Sequence, residues 1–183
     1  MTTANRATTG KREVPAAGAA ERPRPLPAWT ALWFAIAIPV VSWDAAFVFL
    51  RPASMPGQSL AWLFPGYDTY TRVDGRYADL ADDFIVAQSI LNILESAIGL
   101  LFLVLFFRRA RAAVLVGFTV SVMTLGKTLL YFTCEAAQGF ASLAQASAGE
   151  TLLYFVIPNG LWILVPGLIV WRAGHELLAA LRA

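Results

Sequence analysis

The sequence predicts an all-α membrane protein: four transmembrane helices around an intramembrane polar pocket. Three observations carry that prediction. The chain of 183 residues is 58% hydrophobic and only 14% charged, whereas a soluble domain is about 45–50% apolar and about 25% charged. Four apolar stretches are each about 20 residues or slightly more, long enough to cross about 30 Å of hydrocarbon. Inside those stretches sit Asp44, Glu95 and Lys127, and ionisable groups at such depth mark functional sites by default.

Taken in order, residues 1–25 are rich in Ala, Thr, Arg, Pro and Gly without apolar periodicity and read as a disordered cytoplasmic tail. They lack the apolar core and small-residue cleavage site of a secretory signal, so the tail is expected to be retained. Residues 26–183 form one four-helix transmembrane domain. The first span is expected over about Ala28–Leu50, closed by Arg51-Pro52, and the second over Phe84–Phe107, closed by Arg108-Arg109. The third is expected over Ala112–Thr133 and the fourth over Leu152–Trp171, closed by Arg172. Trp29, Trp33, Trp62, Tyr67, Tyr70 and Trp171 fall near span ends, where amphipathic rings prefer the membrane interface. No internal repeat is present.

Orientation follows from the basic residues. The tail carries Arg6, Lys11, Arg12, Arg22 and Arg24, the tight second loop Arg108, Arg109 and Arg111, and the C-terminal end Arg172 and Arg182. The first loop balances Arg51, Arg72 and Arg76 against Asp68, Asp74, Asp79, Asp82 and Asp83, and the third, Cys134 to Thr151, has no Lys or Arg. Both termini are therefore expected in the cytoplasm. The first loop is about 33 residues long with Pro-Gly and aromatic punctuation, a length more typical of a functional cap than of a connector.

The candidate site grows from helical spacing. Gln88, Asn92 and Glu95 fall at i, i+4 and i+7, which makes one polar stripe on the second span. Lys127 and Tyr131 are at i, i+4, and Asn159, Trp162 and Pro166 at i, i+3, i+7. Pro39 lies one turn before Trp43-Asp44 and frees the carbonyl of Ala35; Pro166 does the same for Trp162. Asp44, Glu95, Asn159 and Trp162 are thus expected to line one cavity, with Lys127 near at least one acid. The bland reading is interhelical polar glue, worth about 0.6 kcal/mol per contact. The sharper one is chemical. A buried acid kept protonated can act as a general acid, and a Trp face stabilises a cation. Together they suit protonation of an alkene in a polycyclic lipid, followed by loss of a different proton.

From the first loop onward the chain resembles the emopamil-binding protein family of EXPERA-domain membrane proteins, which includes sterol Δ8–Δ7 isomerases and the sigma-2 receptor. The third span carries Ser121-Val122, Leu130-Tyr131-Phe132 and Glu135 at the isomerases' spacing. The fourth, Tyr154-Phe155-Val156-x-x-Asn159-x-Leu161-Trp162-x-x-x-Pro166-Gly167, looks like the isomerases' pocket helix. Arg76-Tyr77 and Asp83-Phe84 add weaker support. The resemblance covers roughly Trp33 to Trp171. It implies that Asn159 and Trp162 are the pocket Asn and the cation-stabilising Trp, and that Asp44 stands where the isomerases carry a Glu. Val40 replaces a family His, Ser89 falls on the second-span catalytic Glu, Asn92 falls on a pocket Thr, and Lys127-Thr128 replace a Gly-Asp pair. Glu95, nearly two turns beyond Ser89, is the alternative acid.

The expected catalytic residues are Asp44, Glu95, Asn159 and Trp162. The expected substrate-binding residues are Trp43, Gln88, Ser89, Asn92, Lys127 and Tyr131. The expected function is a membrane isomerase that shifts a double bond, or cyclises, in a sterol or terpenoid by proton transfer. The alternative is a non-catalytic sterol or lipid binder acting as receptor or trafficking factor. The expected partners are that hydrophobic small molecule and membrane lipid, with a homodimer as an open option and endoplasmic reticulum as the location in a eukaryote. One cysteine, Cys134, and one histidine, His175, give no cluster for a metal. No cofactor is expected. A net charge of +2 without a basic stripe argues against nucleic acid.

Overall fold

The computed structural model describes residues 26–182; the tail over 1–25 lies outside them. Among the described residues, four helices are long and apolar enough to cross a membrane, and the chain is an all-α membrane protein built on them. Helix α1 spans Ala28–Phe49. The connection that follows holds two short helices, α2 over Tyr67–Val73 and α3 over Gly75–Ala78. Helix α4 runs over Asp83–Phe107 and α5 over Ala112–Ala137. Helix α6 covers Ala148–Arg182, with a π-helical stretch at Thr151–Val156.

Polar caps set several boundaries. The Asp82 carboxylate accepts from the Ile85 amide at 3.0 Å and starts α4, satisfying a donor the helix leaves open. Ser147 and Glu150 form a capping box at the start of α6, so that helix begins before the expected Leu152. It also continues past Trp171 to Arg182, beyond the membrane-length segment that hydropathy marks. Helix α5 likewise runs four residues past Thr133, because Glu135 is buried rather than solvated. Gly66 adopts φ 89° ahead of α2, a left-handed conformation natural to glycine.

The spans pack in series, α1 on α4, α4 on α5 and α5 on α6. Leu32, Ile36, Leu94, Leu100, Leu164 and Leu168 are exposed, giving the outer faces the apolar surface that lipid requires. Where the start of α1, the last third of α6 and the α4–α5 turn meet, Phe34, Phe102, Val114, Val120, Ile169 and Ala173 form a closed core. Helices approach closely there. A Cβ on Gly117 would stand 2.9 Å from the Phe102 ring, and one on Gly99 3.1 Å from Ile38. Small residues permit such packing between membrane helices. At the opposite end the core is aromatic, with Phe47, Phe64, Tyr67, Tyr77, Tyr131 and Phe155. Much of it comes from the α1–α4 connection, which folds over the bundle as a cap.

Candidate functional site

Beneath that cap lies a cavity of about 350 Å³, within the range of small-molecule sites. Helix α1 contributes Trp43 and Asp44, α4 Gln88 and Asn92, α5 Lys127 and Tyr131, and α6 Asn159 and Trp162; Tyr67, Tyr70 and Tyr77 close it from the cap. Of the ten residues expected at the site, these eight membrane residues come together around one space.

Asp44 is its polar centre. The carboxylate accepts from Tyr67 Oη at 2.8 Å, Tyr77 Oη at 3.0 Å and Asn92 Nδ2 at 3.3 Å. Burial, then the neighbouring Asp44 charge, pushes both phenols above their ordinary range, so they stay O–H donors at any physiological pH. Trp43 ties the same turn of α1 to the cap by donating its indole N–H to the Leu63 carbonyl at 3.0 Å.

A polar chain leads deeper from Asp44. The Asn92 amide donates to Asp44 on one side and its oxygen accepts from Lys127 Nζ on the other. Lys127 Nζ lies 3.1 Å from Glu95 Oε2, which also accepts from Thr124 Oγ1 at 3.1 Å. Glu95 therefore does not line the cavity as expected. It sits one turn below Asn92, behind the lysine, and is neutralised by it. Ser89 is also displaced from its expected place: its hydroxyl donates to the Ile85 carbonyl at 2.9 Å and the residue is 1% exposed, outside the cavity lining.

On α6, Asn159 Nδ2 donates to the Phe155 carbonyl at 2.8 Å. The preceding π-helical stretch adjoins Pro158, which has no amide hydrogen for the regular helical bond, and π turns concentrate at functional sites. Trp162 meets Trp33 edge to face, centroids 5.1 Å apart, so the two rings join α6 to α1 below the acid.

Sequence reasoning missed the structure of the cap. Tyr67 and Tyr70, expected near span ends, line the cavity. Arg76 is 5% exposed. Its guanidinium pairs with Glu135 and with Asp82 at 2.8 Å, donates to Gln138 at 2.8 Å, and lies 4.9 Å above the Phe84 ring. Ser142 also donates to Glu135. Asp74 is 1% exposed, caps α3 through the Arg76 amide at 3.2 Å and accepts from Tyr131 Oη at 2.5 Å. Burial pushes its carboxyl up to about 6, against the opposing pull of the Tyr131 and Arg76 hydrogen bonds. Arg76-Tyr77 and Glu135, quoted above on resemblance alone, were the available signals for this clamp.

The fold and cavity together define a class: a four-span membrane protein with a donor-wrapped carboxylate and a tryptophan in one cavity beneath a cap. No protein-family model matches the chain. It is, however, distantly homologous to sterol isomerases. It is 27% identical over 167 residues to the 3-beta-hydroxysteroid-Delta(8),Delta(7)-isomerase of Cavia porcellus, covering 87% of this chain and 70% of the relative. With the protein of the same name from Rattus norvegicus it shares 30% over 156 residues, 81% of this chain and 64% of the relative, just under two thirds of that protein's length.

Proposed function

We propose that the chain is a membrane isomerase of the emopamil-binding, EXPERA-domain type. It moves a double bond in a sterol-like or terpenoid substrate by proton transfer, with both termini in the cytoplasm. The observation that supports this best is the placement of Asp44, Asn159 and Trp162 on one cavity wall-to-wall. In this reading Asp44 delivers a proton to one alkene carbon and the electron pair of the double bond forms the new C–H bond. The Trp162 face stabilises the resulting carbocation. Loss of a proton from a neighbouring carbon to the Asp44 carboxylate regenerates an alkene one position away. One proton enters and one leaves, so no co-reactant is needed. Trp43, Gln88 and Tyr131 shape the substrate site.

The test is turnover of unsaturated sterols and terpenoids in heavy water by the purified full chain. Deuterium should appear at the protonated carbon, and Asp44→Asn should lower the rate by about 10²–10⁴-fold, the usual worth of a positioned acid–base group. Trp162→Phe should cost less. Sterol binding that survives Asp44→Asn, without deuterium incorporation in the wild type, would reject the enzyme.

A second reading is favoured by one observation. Glu95 is tied up by Lys127 and Val40 and Ser89 offer no acid–base group, which leaves Asp44 as the single carboxylate of the cavity lining. A protein with one available acid also suits binding without turnover, as receptor or trafficking factor.

A further inference from the structure

Arginines have protein partners at one end of the bundle and none at the other. In the cap, Arg51 donates to the carbonyls of Arg76, Tyr77 and Asp79, Arg72 pairs with Glu150 at 2.7 Å, and Arg76 holds Glu135 and Asp82. The α4–α5 turn carries Arg108, Arg109 and Arg111 within four residues. All three are exposed, and among the described residues none of them has an ion pair or a side-chain hydrogen bond. The chain has no acid between Glu95 and Glu135, and Glu176 on α6 is already paired with Arg172 at 2.7 Å.

The backbone holds these charges together. The Ala110 amide donates to the Leu105 carbonyl at 2.9 Å and the Arg109 amide to the Phe106 carbonyl at 3.0 Å, the paired bonds of a Schellman helix end. The left-handed residue of that motif is usually glycine; here it is Arg109, at φ 52°. A Cβ is unfavourable in that conformation, so the turn keeps a charge where stability alone favours glycine. Helices α4 and α5, both long and apolar enough to cross a membrane, end and begin here, which puts the turn at a bilayer surface. Phe107, 75% exposed, precedes the arginines, and Leu115, 55% exposed, follows one turn after them.

We infer that the α4–α5 turn is a binding surface for anionic phospholipid headgroups. Guanidinium forks match phosphate oxygens two at a time, and clustered surface arginines favour headgroups that keep a net negative charge. The flanking Phe107 and Leu115 commit the site to a phosphate that arrives on acyl chains rather than one free in solution. The inference is independent of what occupies the cavity.

The test places the full chain in nanodiscs of phosphatidylcholine with a minor share of phosphatidylglycerol and counts, by mass spectrometry, the lipids that stay with the protein on gentle extraction. Wild type should prefer phosphatidylglycerol by roughly 10–100-fold, the usual contribution of two or three surface arginines, and the preference should shrink as salt rises. Arg108→Gln, Arg109→Gly and Arg111→Gln combined should abolish it. Arg109→Gly alone should lower the preference while raising the unfolding temperature, a pairing that a purely structural role would not give. Replacing all three arginines by lysine keeps the charge and should keep most of the preference. Inorganic phosphate at matched concentration should not displace the lipid; displacement would show a free-anion site and overturn the assignment to lipid. Retention in proportion to the composition of the bilayer, or a preference that persists in the triple glutamine–glycine variant, would overturn the inference.

Discussion

The two ends of the bundle solve opposite problems with the same helices. At the end where α1 starts and the α4–α5 turn lies, α1, α4, α5 and α6 close on one another through Phe34, Phe102, Val120 and Ile169, and Gly99 and Gly117 let neighbours approach to contact distance. At the capped end the helices stand around a cavity, and aromatic and charged side chains from the cap replace aliphatic packing. Lipid tails are as apolar as a leucine core, so close packing at one end supplies the rigidity. The other end is then free to hold polar groups that packing alone would not tolerate. If that division holds, substitutions at the closed end should change stability without touching ligand binding, and substitutions in the cap should change both.

The largest effect should come from the clamp. Glu135→Gln takes one of two carboxylate partners from the buried Arg76 guanidinium, which keeps Asp82 at 2.8 Å, so the loss should fall at or below the about 3–5 kcal/mol that breaking a buried ion pair typically costs. Thermal unfolding in detergent should show that loss, with faster proteolysis of the α1–α4 connection and weaker sterol binding. An unchanged protein would mean that the cap is held by its aromatic contacts alone.

Next in size is a pH effect carried by Asp74, which faces Tyr131, Tyr70, Glu135 and Arg76. Its carboxyl is pushed from an ordinary 3.8 up to about 6 in the folded protein. The folded state therefore holds the proton more tightly than the unfolded state between those values. The contribution to stability is full below about pH 4 and lost as pH rises through about 6, amounting to no more than about 3 kcal/mol. Asp74→Asn should flatten that segment of the profile of cap stability against pH. A wild type whose cap is equally stable at both ends of that window would reject the assignment.

At the closed end, Gly117→Ala places a methyl group 2.9 Å from a Phe102 ring that is fully buried. Overpacking of this kind costs about 1–3 kcal/mol. Unfolding temperature should fall while sterol affinity stays at the wild-type value. A parallel loss of affinity would show that the two ends are mechanically coupled.

The same contrast explains what could be read from the sequence. The closed end and the four spans follow from length and apolar composition, which need no partner to be recognised. The inward stripes also followed from spacing, and Asp44, Asn92, Asn159 and Trp162 meet accordingly. Cross-helix register was not legible. Glu95 lies on the expected face of α4, but whether it meets the cavity or Lys127 depends on the height of α5 beside it. Ser89 was placed by resemblance, and it is one residue round the helix from Gln88, turned onto its own backbone. The contacts of the cap were hidden because their partners are distant in the chain: Arg76 and Glu135 are 59 residues apart. The length of the first loop pointed to a cap, but a run of Asp, Arg and Tyr between two spans does not say which side chains turn inward. Only the fold shows Tyr67 and Tyr77 turned inward onto Asp44.

The smallest effect is also the one that best defines the capped end. Tyr77→Phe removes one of three donors from Asp44 and leaves Tyr67 and Asn92 in place. A single intramolecular hydrogen bond contributes about 1 kcal/mol net, so the shift in unfolding temperature should be slight, and Tyr67→Phe alone should behave alike. The double substitution should exceed the sum of the two. Asp44 would then keep one protein donor, the Asn92 amide at 3.3 Å, and residues sharing one hydrogen-bond network couple by about 0.5–3 kcal/mol. Affinity for sterol and the rate of any isomerisation should fall more steeply in the double variant than stability does, because the phenols hold the carboxylate against the cavity as well as the cap against the bundle. Strict additivity in both readouts would mean that Tyr67 and Tyr77 serve only to pack the cap, and that Asp44 keeps its position through α1 and Asn92 alone.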